Sequence, residues 1–399
     1  MAQTMVKNSK LVGMNGDEAV AFAAKQANVD AVVAFPITPQ TIIVERLSEY
    51  IFNGELEAAF IPVESEHSAL SACIGAALTG GRVFTATASQ GLALMYEILY
   101  IASSMRLPIV MALGNRAFSG PINIHCSHDD AYAARDAGWM SFFAENVQEA
   151  YDLIFPAFKI TENKDVLLPA IVNLDAFILT HSVEGLYVFD DKVIPEFLPQ
   201  KEPHDAINFE NPKTYGPFAL FDYYMEIKRQ QEAAMETAGP IIKKVLDEYS
   251  EFSGRKYSPI KTYMVDDAEA AVMVLGSMAG TMRVFAKKAR EAGKKVGVIS
   301  LTQYRPFPVE ELRKVVKGLK AIAVMDRSVS FGSPGAQLYM DVSTALYNMR
   351  ERPLIYNVVY GLGGRELPIA DIEKIFDDVL QVAKDGEVKK EIVWMGLRE

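Results

Sequence analysis

The sequence predicts an α/β protein built from two doubly wound, mostly parallel-sheet domains, and three observations carry that expectation. Short β-branched runs alternate with helical periods from Gly16 to about Leu174. The alternation stops across a proline-punctuated stretch and resumes from Ala268. Half of the 399 residues are apolar, enough for a large core without disulfide or metal support. Such chains place helices on both faces of a sheet and gather ligands at the carboxyl ends of its strands.

In the first domain, expected over residues 1–188, strands fall at Asp30–Phe35, Ala59–Val63, Arg82–Thr87, Pro108–Leu113 and Val166–Leu174. Helices Thr41–Ile51, Glu66–Leu78, Leu92–Ser104 and Val147–Thr161 separate them, each with apolar residues three and four apart. A connector over 189–262 opens with Pro195, Pro199, Pro203, Pro212 and Pro217. It continues as a charged helix from Phe218 to about Ser253 that Gly239-Pro240 is expected to break. The second domain, 263–399, carries strands at Ala271–Gly276, Val296–Leu301, Ala321–Met325 and Pro353–Val359, with helices near Thr281, Pro308, Gly335 and Pro368. Its residues do not echo those of the first domain, so no repeat is inferred.

Composition removes several function classes. Forty basic against fifty-one acidic side chains leave a net charge of -11 with mixed signs, which disfavours nucleic acid or an anionic membrane as partner. The longest apolar stretch, Val166–Thr180, is interrupted by Asn173 and Asp175 and is too short to span a bilayer. Cys73 and Cys126 have no CxxC neighbours, which excludes a disulfide framework, a four-thiolate zinc site and an iron–sulfur cluster within this chain. The start has no secretory pattern, and the expected compartment is the reducing cytosol.

Four loops at expected strand ends hold unusual residues. In Phe35-Pro36-Ile37-Thr38-Pro39 two prolines restrict the backbone around Thr38, which either points into a site or caps the next helix. Val63-Glu64-Ser65-Glu66-His67 opens a small-residue helix. There Glu64 or Glu66 either serves the helix dipole or, desolvated among apolar side chains, shares a proton with a ligand nitrogen. Thr85 to Gly91, including Ser89 and Gln90, is small enough for a flat ligand to approach the backbone, or for tight helix–sheet packing, and it is not a P-loop. In Gly114-Asn115-Arg116 the guanidinium fork suits a carboxylate, with an ion pair to Asp129 or Asp130 as the structural alternative. His125, Cys126 and His128 read as an ordinary polar loop, and no metal is expected there. Gly361 to Glu366 reads as a tight turn approaching a neighbouring subunit rather than a dinucleotide site, and Tyr223, Tyr224 and Met225 as packing and solvated surface.

Taken in order, the four loops resemble the 2-oxoacid:ferredoxin oxidoreductase family, and within it the α subunits of the pyruvate branch. The resemblance runs on through Asp129–Gly138 and the second domain to roughly residue 380. It implies a first domain that binds the aminopyrimidine of thiamine diphosphate and a second similar to the carboxy-terminal domain of transketolase. It further implies that Glu66 touches the pyrimidine ring nitrogen, with Glu64 ranked second and Pro36, Ser89, Gln90 and Gly91 completing the cofactor contacts. Arg116 and Thr38 would meet the substrate carboxylate. The Gly-Asp-Gly segment that holds Mg²⁺ and the diphosphate in thiamine enzymes does not occur, and Gly16-Asp17-Glu18 does not replace it. The resemblance therefore assigns Mg²⁺ and [4Fe-4S] clusters to partners: a β subunit, a γ subunit and a ferredoxin-like δ subunit. The implied reaction converts pyruvate and coenzyme A to acetyl-CoA and carbon dioxide with reduction of ferredoxin. A sister enzyme for 2-oxoglutarate, a branched-chain 2-oxoacid or oxalate, or a non-catalytic α/β scaffold, are the alternatives.

Overall fold

A computed structural model describes residues 9–204 and 206–398. The chain opens with β1 (Ser9–Met14), α1 (Gly16–Gln26), β2 (Ala31–Ala34), α2 (Thr41–Phe52), β3 (Ala59–Pro62), α3 (Glu66–Leu78) and β4 (Val83–Thr87). It continues with α4 (Ser89–Leu94), α5 (Tyr96–Ser104), β5 (Ile109–Asn115), α6 (Asp129–Ala133) and β6 (Met140–Phe143). Next come α7 (Val147–Asp152), α8 (Ile154–Thr161), β7 (Ala170–Asp175) and β8 (Glu184–Phe189). A short α9 (Ile194–Phe197) and a long α10 (Tyr224–Ser253) lead to β9 (Ile260–Tyr263), β10 (Ala270–Val274), α11 (Met278–Glu291), β11 (Val296–Leu301) and β12 (Gln303–Arg305). The remainder is α12 (Val309–Val315), β13 (Ala321–Asp326), α13 (Gln337–Leu346), β14 (Leu354–Val359), α14 (Ile369–Asp385) and β15 (Ile392–Trp394).

The first sheet has the order β12-β6-β7-β5-β4-β2-β3 and is parallel except where β12, from the second half of the chain, adds antiparallel to β6. Both faces are covered, so its strands read as unbroken apolar runs. Phe84, Ala86, Val110 and Ala112 point into one core, whereas Val83, Ile109, Met111 and Leu113 point into another. The second sheet, β15-β14-β13-β10-β11-β9, is parallel except for β9. Its residues Ala271, Met273, Ile322 and Val324 enter the same buried cluster as Ile109 and Met111 of the first sheet. One core is thus common to both halves. Tyr304 helps to join them, edge-on to Tyr132 at 5.4 Å and to Phe143 at 6.0 Å.

Several elements depart from the sequence expectation. The helix expected to break at Gly239-Pro240 runs unbroken, because Pro240 and Glu236 lie on the exposed side, where water hydrates the carbonyl that proline leaves unpaired. The helix expected over Leu92–Ser104 is two helices meeting at Met95, and that over Val147–Thr161 divides at Leu153. The turn at Gly361 to Gly364 approaches this same chain: a Cβ on Gly363 would lie 2.4 Å from Asn123 Nδ2, and one on Gly364 2.5 Å from His125 Cβ. Tyr223, Tyr224 and Met225 do not pack inward but are exposed.

The carboxyl ends of the two sheets face each other across Asp175, the last residue of β7. Its carboxylate accepts from His128 Nε2 at 2.8 Å, Arg327 Nη1 at 3.1 Å and Ser277 Oγ at 2.5 Å. Cys126 accepts from the same Arg327 nitrogen at 3.1 Å. Cys126, His128 and Asp175 bring potential metal-ligand atoms within 4.8 Å of one another, but Arg327 already supplies the positive charge beside both sulfur and carboxylate. Glu145, just past β6, makes a second joint through Ser300 Oγ and Arg283 Nη1, each at 2.6 Å. No helix among the described residues is long and apolar enough to cross a membrane.

Burial pushes the Asp175 carboxyl up, but Arg327 and His128 outweigh burial and hold it well below the usual carboxylate range. A depressed folded pKa contributes stability that is present above about pH 4 and lost as pH falls below it. Urea unfolding followed from pH 7 to pH 3 should therefore show an acid-dependent loss that is shallower in Asp175→Asn. An equally steep loss in the variant would remove this residue from the acid response.

Candidate active site

Strands β5, β4, β2 and β3 are neighbours in the first sheet, so the four loops marked in the sequence emerge side by side along its carboxyl edge. Glu66 is the first residue of α3. Ser65 precedes it in extended conformation and caps the helix by accepting from Ser68 N at 3.2 Å. The Glu66 side chain is 6% exposed and has no hydrogen-bond or charged partner among the described residues. It lies against Gly91 of α4: a Cβ there would stand 2.7 Å from Glu66 Oε1 and 2.4 Å from Thr87 Oγ1. Glycine is thus required at position 91 by close approach rather than by backbone angle. The Thr87 hydroxyl is buried and unpartnered, as is Gln90 Oε1.

Glu64 sits apart from this group. It is exposed and accepts from Ser68 Oγ at 2.7 Å, a bond that lowers its pKa. Pro36 and Thr38 lie on the exposed rim, and Thr38 does not cap α2, because Gln40 occupies the cap position. Gln40 braces the loop by donating to Phe35 O at 3.0 Å. The Thr38 carbonyl accepts from Arg116 Nη1 at 2.9 Å, which joins the first and fourth loops.

Arg116 is 7% exposed, and its Nε donates to Asn123 O at 3.2 Å. Its guanidinium pairs with no carboxylate, and Nη2 makes no hydrogen bond among the described residues. Burial lowers its pKa, opposed by Asp130, and the group stays cationic. Neither acid proposed as its ion-pair partner takes that role. Asp129 accepts from Ser127 Oγ at 2.8 Å, and Asp130 contacts the backbone of Arg116 instead.

Asp130 is the functional residue that sequence reasoning missed. Its Oδ2 accepts from Ser89 N and Arg116 N, each at 3.0 Å, and its Oδ1 from Asn115 Nδ2 at 3.1 Å and Ala131 N at 2.8 Å. Burial pushes its carboxyl up to about 7, with these donors opposing. Ser89 adopts a left-handed φ of 44°, an unusual conformation for a side-chain-bearing residue. The Asp130 bond and its own Oγ, which donates to Ala117 O at 2.7 Å, hold it there. Gln90 reaches the same loop by donating from Nε2 to Ser119 Oγ at 2.6 Å. The result is a small-residue floor, a buried unpaired acid on one side and an unpaired guanidinium face on the other. That donor set fits a flat nitrogen heterocycle against Glu66, Thr87 and Gly91, and a carboxylate against Arg116.

The same fold occurs in solved thiamine enzymes. A 2-oxoglutarate:ferredoxin oxidoreductase from Magnetococcus marinus superposes with a TM-score of 0.70 at 18% identity, over 94% of this chain and 65% of that one. A split-gene transketolase chain superposes with a TM-score of 0.57 at 12% identity, over 93% of this chain and all of that one. Residues 22–247 match the family described as pyruvate flavodoxin/ferredoxin oxidoreductase, thiamine diphosphate-binding, and residues 268–372 match pyruvate:ferredoxin oxidoreductase core domain II. The chain belongs to the pyruvate:ferredoxin oxidoreductase family. Pyruvate synthase subunit PorA of Pyrococcus furiosus is 49% identical over 96% of this chain and 97% of its own length. That of Thermotoga maritima is 46% identical over 97% and 98%. Ketoisovalerate oxidoreductase subunit VorA of Pyrococcus abyssi is 43% identical over 96% and 97%.

A methyl group on residue 91 must displace either Thr87 or Glu66. Gly91→Ala should cost about 1–3 kcal/mol in urea unfolding. It should also weaken thiamine diphosphate binding to the assembled enzyme about tenfold or more, read by calorimetric titration. Unchanged cofactor affinity would show that this contact does not position Glu66.

Proposed function

We propose that the chain is the α-type subunit of a pyruvate synthase, which converts pyruvate, coenzyme A and oxidised ferredoxin reversibly to acetyl-CoA, carbon dioxide and reduced ferredoxin in the cytosol. The observation that carries the reading is the buried, unpartnered Glu66 carboxylate at the start of α3, pressed against Gly91. Thiamine diphosphate, when bound, supplies the carbon centre that takes up the keto group and the electrons left by departing carbon dioxide. In this reading Glu66 holds a proton against the pyrimidine ring nitrogen, and the Thr87 hydroxyl and Gln90 carbonyl lie beside the ring. Ser89, Gln90 and Gly91 form the floor, with Pro36 at the rim and Glu64 a solvated neighbour. Arg116 turns Nη2 to the substrate carboxylate, while its Nη1 bond to the Thr38 carbonyl keeps the Thr38 hydroxyl near the same anion.

With no Gly-Asp-Gly segment and only two cysteines, this chain needs others for Mg²⁺, the diphosphate and the [4Fe-4S] clusters. Those are assigned to β, γ and ferredoxin-like δ subunits. A second reading takes 2-ketoisovalerate as substrate, because VorA relatives are 43% identical over nearly the whole chain.

Viologen reduction by the complex purified with its partners separates the readings. Pyruvate should give the highest kcat/KM among pyruvate, 2-ketoisovalerate, 2-oxoglutarate and oxalate. In that assay Glu66→Gln should lower kcat about 100-fold or more with KM for pyruvate little changed. Arg116→Ala should raise that KM about tenfold or more, the worth of a charge-assisted bond. Normal turnover by Glu66→Gln, or a preference for another acid, refutes the corresponding assignment.

A further inference from the structure

We infer that residues 208–225 and the outward face of α3 and α5 form one docking surface, occupied by the subunit that carries the Gly-Asp-Gly diphosphate segment. The inference rests on the function proposed above and names the partner that completes its site. The arm is the most exposed apolar segment of the chain: Phe209 is 96% exposed, Phe218 90%, Phe221 88% and Met225 78%. Tyr223 and Tyr224 are also exposed. An aromatic side chain buries about 150–250 Å², so these five rings alone offer on the order of 1,000 Å², the size at which an interface becomes specific. Left in water they form an apolar patch with no counterpart in this chain.

The arm is placed beside the active site by its two ends. It leaves the body where Ile207 N donates to the carbonyl of Leu78, the last residue of α3, at 2.8 Å. It returns as α10, whose Gln231 donates to Ser103 Oγ in the last turn of α5 at 2.8 Å. The arm therefore spans the gap between the carboxyl ends of two helices that pack together. Their outward face is uncovered. On α3, Leu70 and Cys73 point inward, Ile74 and Leu78 are half-buried, and Ser71 and Gly75 are exposed, with nothing within 4 Å of a Cβ built on Gly75. On α5, Tyr96 and Ile101 are exposed. A helix apolar around its circumference is found where both sides are covered, and small outward residues let another backbone come close.

The occupant follows from where α3 begins. The helix has 13 residues, about 20 Å, and runs from the arm to Glu66. A polypeptide laid along this face from the arm arrives at the unpartnered Glu66 carboxylate, and this chain lacks the segment that would hold the other half of the cofactor there. A second copy of this chain would lack it as well.

Two surface variants of the co-purified complex test this. Phe218→Ser with Phe221→Ser and Tyr223→Ser removes the arm's rings. Gly75→Glu places a charge in the open space on α3. By sedimentation equilibrium each should weaken association with the diphosphate-carrying subunit at least tenfold, while the melting temperature of the chain stays unchanged. Phe52→Ser, at a 90% exposed position on α2, should leave association unaltered. Unaltered association in either test variant overturns the inference. So does loss of self-association with binding to that subunit intact, which would give the face to a second copy. Glu66→Gln should assemble normally. If it also turned over normally, the catalytic reading would fail while the docking surface stood.

Discussion

The active-site edge depends on one buried carboxylate. Asp130 gathers the amide of Asn115 and the backbone N–H groups of Ser89, Arg116 and Ala131. Those donors belong to the end of β5, the start of α4 and the loop that bears Arg116. Without an acceptor between them, N–H groups would face one another in a dry interior, at about 1–3 kcal/mol for each unsatisfied group. With it, the Arg116 backbone is fixed, and the guanidinium is spared an acidic partner because the nearest buried acid is already engaged. The charge on Arg116 stays available because Asp130 takes its backbone rather than its side chain. A direct ion pair, the structural reading open at the sequence level, would have neutralised the group that the site needs.

Asp175 does for the two halves of the chain what Asp130 does for the loops. It ends β7 and reaches Ser277 and Arg327, which follow β10 and β13 of the other sheet. The two carboxyl edges, where parallel sheets place their ligands, are thereby turned toward each other. The shared apolar cluster gives this joint a non-directional driving force, and Asp175 with Glu145 gives it register. Strand β12 strengthens the same joint by adding to the first sheet from within the second half of the chain. The turn at Gly363 and Gly364 reaches residues 123–126, close to where Asn123 receives the Arg116 Nε bond. The second half therefore supports the substrate loop through backbone contacts.

Features set by local chemistry were legible in the sequence. The helix at Glu66–Leu78 has the expected ends because Ser65 is a strong cap and Thr79-Gly80 stops the run. The four loops stood out because each follows an apolar strand and carries residues a simple turn does not need. Features set by distant partners were not legible. Asp130 lies 41 residues from Ser89, and no local pattern distinguishes a carboxylate that takes backbone N–H groups from one that pairs with the arginine nearby. Strands β1 and β8 are partly exposed, and β12 has only three residues, too short for periodicity to register. Gly239-Pro240 misled because a break depends on which side of the helix the freed carbonyl faces, and that is decided by packing.

The remaining polar atoms explain why the site is built as a half. Thr87 Oγ1, Gln90 Oε1, Gln40 Oε1 and Asn115 Oδ1 are buried without partners, and each lies at or just beyond the carboxyl end of a strand in the first sheet. The Asp17 carboxylate is also unpartnered, in a helix whose first residue, Gly16, donates to the Leu179 carbonyl just past β7. Burial raises its pKa, so it is kept as a neutral acid rather than a stranded charge. Five such groups scattered through a core would be difficult to reconcile with a few kcal/mol of net stability. Collected along one edge, they are offset by the large cores behind them and meet a ligand already oriented, with little reorganisation left to perform on binding. The same reasoning applies outside the core. An all-apolar α3 and an arm of exposed rings are unfavourable in an isolated chain, and both become ordinary once another polypeptide covers them and brings the missing half of the cofactor site to Glu66.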